Sequence, residues 1–295
     1  MSASAEALSP AAEASMETPK RIWRERVSML LRSAPFLIGM GILIFWVVMA
    51  IIGPWIVPYG ADDTDLLNTL TPPAADHWFG TDQYGRDVFS RVIVGSRDIL
   101  VVAPLATLLG TVVGTIIGLV TGYARGITDD VVSRIVDAFL ALPLLILAML
   151  VITALGASNT TVIIVIGLSF GLIVGRTVRA AVLGERDLDY VAAAHLRGEK
   201  PIYILFVEIL PNVMPPILVE TTVRLGYAIF TVASLSFLGL GIQPPSPDWG
   251  LSISQNYGLI GGGYWWTVLF YALAIGSLVV GVNLTADGVQ SVIDA

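Results

Sequence analysis

The side chains of this chain that could do chemistry are few. It has no cysteines, and its two histidines, His77 and His195, are far apart in the sequence, so neither a disulfide nor a resident metal site is expected. Neither of its two lysines directly follows a glycine, which excludes a phosphate-binding loop ending in Gly-Lys-Ser or Gly-Lys-Thr. No Ser-His-Asp arrangement and no pair of carboxylates suggests catalysis. We therefore expect a chain that is not an enzyme and that holds no cofactor of its own.

A charged stretch, residues 189–211, lies between two long apolar runs and favours helix. Lipid would expel its charges, so the chain is expected to leave the membrane here for about twenty residues. A helix is predicted to begin at Asp189, because the alanines that follow have high helix propensity and leave a smooth face. Gly198 is expected to end this helix. Pro201 and then Leu210-Pro211 are expected to break the chain again. The result is a helix–turn–helix clip that could dock a partner, with an ordinary connecting loop as the alternative.

Two charges lie inside a later apolar run. Glu220 and Arg224 are four residues apart in the acid-first order that favours pairing on one helix face. Charged side chains within a span face protein or water rather than lipid. Two interpretations are open: a self-satisfied ion pair near the cytoplasmic interface, or a pair that lines or gates a transport path.

A second polar segment extends from Tyr59 to Asp98. Gly80 and Gly85 permit tight turns in it, and Arg86, Asp87 and Arg91 can pair locally. Apolar residues at helical spacing predict a short amphipathic helix at the membrane surface. These apolar residues are Val88, Phe89, Val92 and Ile93. The charged residues are Asp62, Asp63, Asp65, Asp76, Asp82, Asp87 and Asp98 against Arg86, Arg91 and Arg97.

The elements that must position these residues are membrane-spanning helices. Only 13% of the residues are charged, against about 25% in a soluble domain, and several apolar runs are long enough to span a bilayer. Since these runs are continuous rather than alternating, they predict helices and not a barrel. The sequence therefore predicts an all-α membrane protein with six transmembrane helices. The predicted spans are Ala34–Val57, Ile99–Gly122, Ala138–Leu155, Thr161–Gly175 with a helical continuation, Met214–Leu238 and Trp265–Leu284.

These spans divide the chain into regions. Residues 1–33 are expected to form a disordered start followed by a basic cytoplasmic anchor. Residues 34–58 contain the first transmembrane helix, and residues 59–98 an external segment with the amphipathic helix. Residues 99–295 form a core of five spans that includes a cytoplasmic loop at 184–211. A polar loop is expected between Tyr123 and Asp137.

Glycines recur every fourth residue in two of the predicted spans. They form a flat stripe on one helix face, where another backbone can approach closely. They are Gly110, Gly114, Gly118 and Gly122 in the second span and Gly167, Gly171 and Gly175 in the fourth.

Basic residues predict the orientation. Six spans place both termini on one side, and that side holds twelve of the lysines and arginines outside the spans against three on the other. The positive-inside rule therefore predicts that both termini and the clip are cytoplasmic. The twelve are Lys20, Arg21, Arg24, Arg26, Arg32, Arg125, Arg134, Arg176, Arg179, Arg186, Arg197 and Lys200.

The clip resembles the signature loop of ABC importer permeases, through Ala193-Ala194, three further residues, Gly198 and then Leu210-Pro211. In that family the first short helix is a coupling helix that sits in a cleft of the cytoplasmic ATPase. The family pattern has Glu where this chain has Ala192, and Asp189 is the nearby acid. The residues to which the resemblance assigns ATPase coupling are Asp189, Tyr190, Ala193, Ala194, Gly198, Leu210 and Pro211.

Two further motifs are similar to those of the dipeptide, oligopeptide and nickel branch of the family, and the tail of the clip, Ile209–Ile217, is similar to its peptide permeases. With six spans and a long external segment after the first, the chain is most similar to the dipeptide permease C subunit. The external motif comprises Phe79-Gly80-Thr81-Asp82, Gly85-Arg86-Asp87 and Ser90-Arg91. The motif at the end of the fifth span comprises Leu235–Gly241, Gln243-Pro244-Pro245 and Asp248-Trp249-Gly250.

The resemblance suggests that residues 78–98 form a rim element beneath an external binding protein, with a structural plug that seals helix ends as the alternative. The side chains concerned are Gly80, Asp82, Gly85, Arg86, Asp87 and Arg91.

The resemblance implies a type I ABC importer permease in the bacterial cytoplasmic (inner) membrane that carries short peptides by alternating access. Its implied partners are a second, homologous permease, ATP-binding subunits (two, or one fused) that bind ATP and Mg, an external substrate-binding protein and membrane lipid. Nickel or another small solute is the alternative cargo. An ion-coupled secondary transporter or a membrane scaffold is the alternative class. No nucleic acid is expected, since no basic patch stands out.

Overall fold

The computed structural model describes residues 28–124 and 126–293, except for the side chains of residues 128 and 293. The predicted disordered start, most of the basic anchor and Arg125 lie outside the described residues. The described part is almost entirely helical, and one isolated bridge joins Thr81 and Asp87.

Ten α-helices are described here in chain order. They are α1 Ala34–Ile56, α2 Val88–Ala124, α3 Ile127–Leu140, α4 Leu144–Leu155, α5 Asn159–Glu185, α6 Asp189–Leu196, α7 Pro201–Tyr203, α8 Leu210–Phe237, α9 Trp249–Asn256 and α10 Trp266–Ile293. A π-helical stretch, Ile204–Ile209, joins α7 to α8, and a 3-10 turn, Tyr257–Gly262, follows α9.

Among the described residues, five helices are long and apolar enough to span a membrane: α1, α2, α5, the continuous helix from Pro201 to Phe237, and α10. The pair α3–α4 is bent by 88° and would be a sixth span if it is counted as one. The all-α fold with up to six spans agrees with the sequence prediction, but the predicted third span is broken. The break precedes Pro143, which cannot continue a helix from the residues before it.

Three local predictions need correction. The predicted surface helix is the first turns of α2, which begins at Val88 and runs unbroken past Ile99, because Val88 and Val92 are buried in the core. The predicted loop after Tyr123 contains the helix α3. The predicted break at Leu210-Pro211 does not occur.

The chain passes Leu210-Pro211 as a helix because the preceding turn widens. The backbone N–H of Leu210 bonds to the carbonyl of Leu205, five residues back, and such π-turns are one way in which helices accommodate a proline. The clip therefore ends in a leg that is continuous with α8, within the fourth of the five long helices.

The most extensive helix packing joins α2 to α5, through the two glycine stripes. A Cβ atom at Gly114 would lie 2.6 Å from the carbonyl oxygen of Gly171, and one at Gly118 would lie 2.5 Å from the Cβ of Val178. Both distances are shorter than van der Waals contact, so larger side chains would separate the helices. The predicted close approach is confirmed, and these two helices form the rigid frame against which the clip packs.

Candidate functional site

The clip begins with α6, whose end is defined by Gly198. This glycine has φ +74°, the left-handed conformation predicted for it. Its N–H bonds to the carbonyl of His195, and the N–H of Glu199 bonds to the carbonyl of Ala194. These two bonds form a Schellman motif. Nothing lies within 4 Å of where a Cβ of Gly198 would be, so the glycine is required by the backbone conformation and not by crowding.

The two faces of α6 differ in what they contact. Val191 and Ala194 are buried in a cluster that contains Leu119 of α2 and Val178 of α5. Within the clip, α6 packs against the π-helical stretch Ile204–Ile209. Ala193 and its neighbour Ala192 are exposed. The two motif alanines therefore have different roles, since Ala194 packs the helix onto the frame while Ala193 belongs to a smooth outer face.

Tyr190 ties the start of α6 to the end of α5. Its hydroxyl donates to Oε2 of Glu185 at 2.8 Å. Burial, and then the bond to Glu185, raise the pKa of Tyr190 to about 12, so the phenol stays a donor at physiological pH. Asp189 is exposed in the first turn of the helix, where the helix dipole stabilises a negative charge.

The two legs of the clip are joined at the surface. Arg197 donates to Oε1 of Glu208 at 2.6 Å. Large apolar side chains nearby remain exposed, above all Leu196 at 91%. Leu210 and Pro211 lie in the first turn of α8 and not at a break. The clip thus presents small and apolar residues on the exposed face of a helix whose other face is packed against the protein. Such an arrangement is suited to a protein partner.

At the other end of the molecule, Asp82 and Arg86 are buried together. Nε of Arg86 donates to Oδ2 of Asp82 at 2.7 Å, and the other oxygen of Asp82 accepts the N–H groups of Arg86 and Tyr84. Arg86 also donates to Oε1 of Gln255 on α9. Arg86 thus pairs with a local acid, Asp82, and not with its neighbour Asp87.

Asp87 instead caps α2. Its Oδ2 accepts from the N–H and the hydroxyl of Ser90, and its Oδ1 lies 2.9 Å from Nδ1 of His77. A carboxylate in this position satisfies an N–H group that the helix leaves free.

Arg91 is fully buried and joins three segments. It donates to the carbonyl of Ala61, to Asp62 and to the carbonyl of Ser246. Its partners are thus not the neighbouring acids that local pairing predicted. Together with Arg86 it ties the external segment to α2 and to the region of α9.

Gly80 and Gly85 make the turns predicted for them, with φ +75° and +72°. A Cβ at Gly85 would overlap the carbonyl of Asp65. The charged side chains of this motif are therefore buried and paired within the chain.

Glu220 and Arg224 form the ion pair that their spacing predicted. Nε of Arg224 donates to Oε1 of Glu220 at 2.6 Å. The guanidinium lies 5.2 Å from the ring centroid of Tyr227 and 6.0 Å from that of Phe170. The pair is only partly buried.

The sequence analysis did not predict the hydrogen-bond partners of Arg179 and Asp248. Arg179 donates two bonds to Asp129 on α3, at 2.6 and 2.7 Å. Asp248 caps α9 through the N–H of Leu251, and burial raises its pKa to about 6. An aspartate immediately before a helix is a recognisable cap signal, whereas the pairing of Arg179 left no local pattern. Among the described residues, no group of three or more His, Cys, Asp or Glu could hold a metal ion.

Comparisons with known proteins agree with this geometry. Residues 114–295 match a model of the binding-protein-dependent transport system inner membrane component. Residues 21–73 match the N-terminal TM domain of oligopeptide transport permease C.

The relatives match over most of the chain. The dipeptide transport system permease protein DppC of Alkalihalophilus pseudofirmus is 37% identical, over 92% of this chain and 89% of the relative. The oligopeptide transport system permease protein OppC of Bacillus subtilis is 34% identical, over 92% and 89%. The probable D,D-dipeptide transport system permease protein DdpC of Escherichia coli is 32% identical, over 98% and 95%.

A solved structure shares the fold. A chain of the MetNI methionine ABC transporter, in an inward-facing conformation, has a TM-score of 0.57 and 20% identity, and the match covers 68% of this chain and 96% of that one. The fold is that of type I ABC importer permeases. The chain belongs to the family of inner membrane components of binding-protein-dependent transport systems, the permeases of ABC importers.

Proposed function

We propose that this chain carries short peptides across the cytoplasmic membrane as one of two permease subunits of an ATP-driven importer. The observation that carries the proposal is the clip, which presents a smooth helix face fixed to the α2–α5 frame. Relatives named for dipeptide and oligopeptide transport support peptides as cargo over nickel. As a permease the chain is a transport subunit, and ATP and Mg would bind to separate ATPase partners.

The coupling step follows from the continuity of the clip with α8. ATP-driven closure of the ATPases would move α6, and the helix from Pro201 to Phe237 would transmit that movement into the membrane. Alternating access then needs no chemistry in this chain. Such coupling is reciprocal in binding free energy, so a loaded binding protein would also favour the ATP-bound state.

The proposal predicts that Ala193→Glu disrupts coupling, because a charged side chain would stand on the outer face of α6 without disturbing its packed face. Ala124→Glu, at another exposed alanine near the end of α2, is the matched control. We expect Ala193→Glu to abolish co-purification with the ATPase or peptide uptake, while Ala124→Glu retains both. Normal assembly and uptake in Ala193→Glu would overturn the coupling role of the clip.

Substitutions at Asp189 test the position where the family pattern has Glu. If Asp189 supplies the acid that Ala192 lacks, Asp189→Ala reduces uptake more than Ala192→Ser does. Equal uptake in the two variants would remove that role from Asp189.

For the external end, we propose that the buried residues Asp82, Arg86 and Arg91 hold a rim and that exposed side chains of the same segment meet the binding protein. Leu67 is 95% exposed and Trp78 is 59% exposed. Leu67→Asp and Trp78→Asp are expected to weaken association with the binding protein and leave folding intact. Unchanged association in both variants would rule out this rim.

The proposed orientation has both termini and the clip in the cytoplasm. Because the chain has no cysteine, a single Leu196→Cys variant gives an unambiguous test. A membrane-impermeant maleimide is expected to label it only from the cytoplasmic side. Labelling from the outside would show that the orientation is the opposite of the one proposed.

A further inference from the structure

The exposed side of α8 differs in polarity from the side of a helix that faces only lipid. On α1 the exposed side chains of the span are apolar, for example Leu37, Ile44 and Ile51. On α8, Tyr227 is 57% exposed and Ser234 is partly exposed. A span face that carries polar groups is disfavoured against lipid and is expected to meet protein, water or a polar ligand.

The ion pair lies on this same face and inside the membrane. At 3.6 residues per turn, Glu220, Tyr227 and Ser234 differ by two turns per step and share one side of α8. Arg224 precedes Phe237, the last residue of α8, by a distance along the helix of about 20 Å. That is less than the hydrocarbon thickness of about 30 Å, so the pair lies within the membrane, toward its cytoplasmic side.

The pair retains unused bonding capacity. Its described hydrogen bond uses only Nε of Arg224 and Oε1 of Glu220. A guanidinium has five N–H donors and a carboxylate two acceptor oxygens. The two side chains are still 18% and 16% exposed, and the guanidinium carbon of Arg224 lies 5.2 Å from the ring centroid of Tyr227 and 6.0 Å from that of Phe170. A pair of opposite charges is therefore presented on the polar face of α8.

We propose that Glu220 and Arg224 form a binding site for the two charged ends of a transported peptide. The terminal nitrogens of Arg224 accept the peptide carboxylate, since guanidinium–carboxylate bonds are among the strongest in proteins. The second oxygen of Glu220 takes the peptide ammonium. A short zwitterionic peptide complements this pair in charge, and its side chains extend toward the exposed rings of Tyr227 and Phe230. This inference rests on the proposed peptide transport and names the chemistry by which the path recognises its cargo.

The test is a crossed competition experiment on the intact permease–ATPase complex in nanodiscs, without the binding protein. Bound radiolabelled dialanine is competed with dialanine, its N-acetylated form and its C-amidated form. In the wild type each blocked form is expected to compete about tenfold or more weakly, because a charged hydrogen bond is lost. Arg224→Gln should remove the discrimination against the amidated form alone. Glu220→Gln should remove the discrimination against the acetylated form alone.

Thr222→Val is the matched control, because Thr222 lies on the opposite side of α8 and bonds to the carbonyl of Val219. It should keep both discriminations. All variants are first checked for assembly and ATPase activity. The inference is overturned if the wild type binds no dialanine or if both glutamine variants discriminate as the wild type does. It is also overturned if a photocrosslinker attached to the thiol of Tyr227→Cys captures the second permease, which would make this face a subunit interface. Uptake of dialanine by the full system with ATP and binding protein is measured in parallel, and only its failure would count against the proposed transport function.

Discussion

At the end of the molecule that we propose is external, Asp82, Arg86 and Arg91 are buried, and each bonds to a partner on another part of the chain or on its own turn. At the opposite end, which we propose is cytoplasmic, Asp189 and Arg197 are exposed, and the side chain of Arg197 pairs with Glu199 and Glu208. Both ends were recognisable as charged motifs in the sequence. The difference teaches that one motif uses its charges to join segments of the chain, whereas the other keeps its outer face free for a second protein.

This comparison predicts opposite effects of substitution. At the external end, removal of a charge should cost folding free energy first and transport only as a consequence. At the cytoplasmic end, substitution of an exposed residue should leave folding almost unchanged and affect the interaction with the ATPase.

The largest effect on stability is expected from Arg91→Met. It leaves the carbonyls of Ala61 and Ser246 without their donor and Asp62 without its cation, at a cost of about 3 kcal/mol or more. Arg97→Met, at an exposed arginine six residues away, is the control. The free energy of unfolding, measured by SDS titration of the purified protein, checks both variants. Similar stability in the two would contradict the role of Arg91 in joining the external segments.

The same substitution at two glycines sharpens the comparison. Gly85 and Gly198 both have φ above +70°, so alanine at either position costs about 1 kcal/mol in backbone conformation. At Gly85 the new Cβ also overlaps the carbonyl of Asp65, whereas at Gly198 it meets nothing.

Gly85→Ala is therefore expected to destabilise the protein by more than about 3 kcal/mol, and Gly198→Ala by about 1 kcal/mol. Thermal unfolding followed by circular dichroism compares the two. Equal melting temperatures would show that the two turns are equally crowded.

The raised pKa of Asp248 predicts that the stability of the protein depends on pH. Burial raises its pKa from 3.8 to about 6, so the folded state favours the neutral acid. The stability that this group contributes is present below about pH 4 and is lost as the pH rises through about 6, with a total of up to about 3 kcal/mol.

Asp248→Asn keeps an oxygen that can cap α9 but does not ionise. Its stability is expected to fall less than that of the wild type between pH 4 and pH 7. Parallel unfolding curves for the two proteins over this range would show that Asp248 does not titrate in the folded state as described.

The smallest effect is expected at the cytoplasmic surface. The bond between Arg197 and Glu208 is 2.6 Å long, but the arginine side chain is half exposed. Exposed pairs contribute less than about 1 kcal/mol, so Arg197→Ala should unfold almost as the wild type does in the same SDS titration. A loss as large as that of Arg91→Met would remove the distinction between the two ends.

Much of the fold followed from local pattern. Apolar runs of spanning length identified the membrane helices. The spacing of Gly110 to Gly122 and of Gly167 to Gly175 predicted that two helices approach closely. The alanines before Gly198 predicted a short helix and its end. Each of these features depends on residues within one or two turns of each other, where helix propensity and spacing determine the outcome.

Other features could not be predicted in this way, because they depend on contacts between distant segments. Arg91 bonds to the carbonyl of Ser246, 155 residues away, and Arg86 bonds to Gln255, 169 residues away. Of the two acids near Arg86, Asp82 pairs with it, whereas Asp87 caps α2. Both the free N–H groups at the start of α2 and the buried charge of Arg86 need a partner, because an unpaired polar group inside the protein costs free energy.

The sequence by itself determined that this chain is a helical membrane protein, where the first helix of its clip begins and ends, and that Glu220 and Arg224 share a helix face, because these properties depend on composition and short-range spacing. Only the tertiary structure decided that the charges of residues 82–91 are buried and paired, that the second leg of the clip continues unbroken into α8, and that α3 and α4 meet at a sharp bend. Those outcomes depend on which backbone groups remain unpaired and which apolar faces are left to be covered once the helices pack, and no local pattern records either.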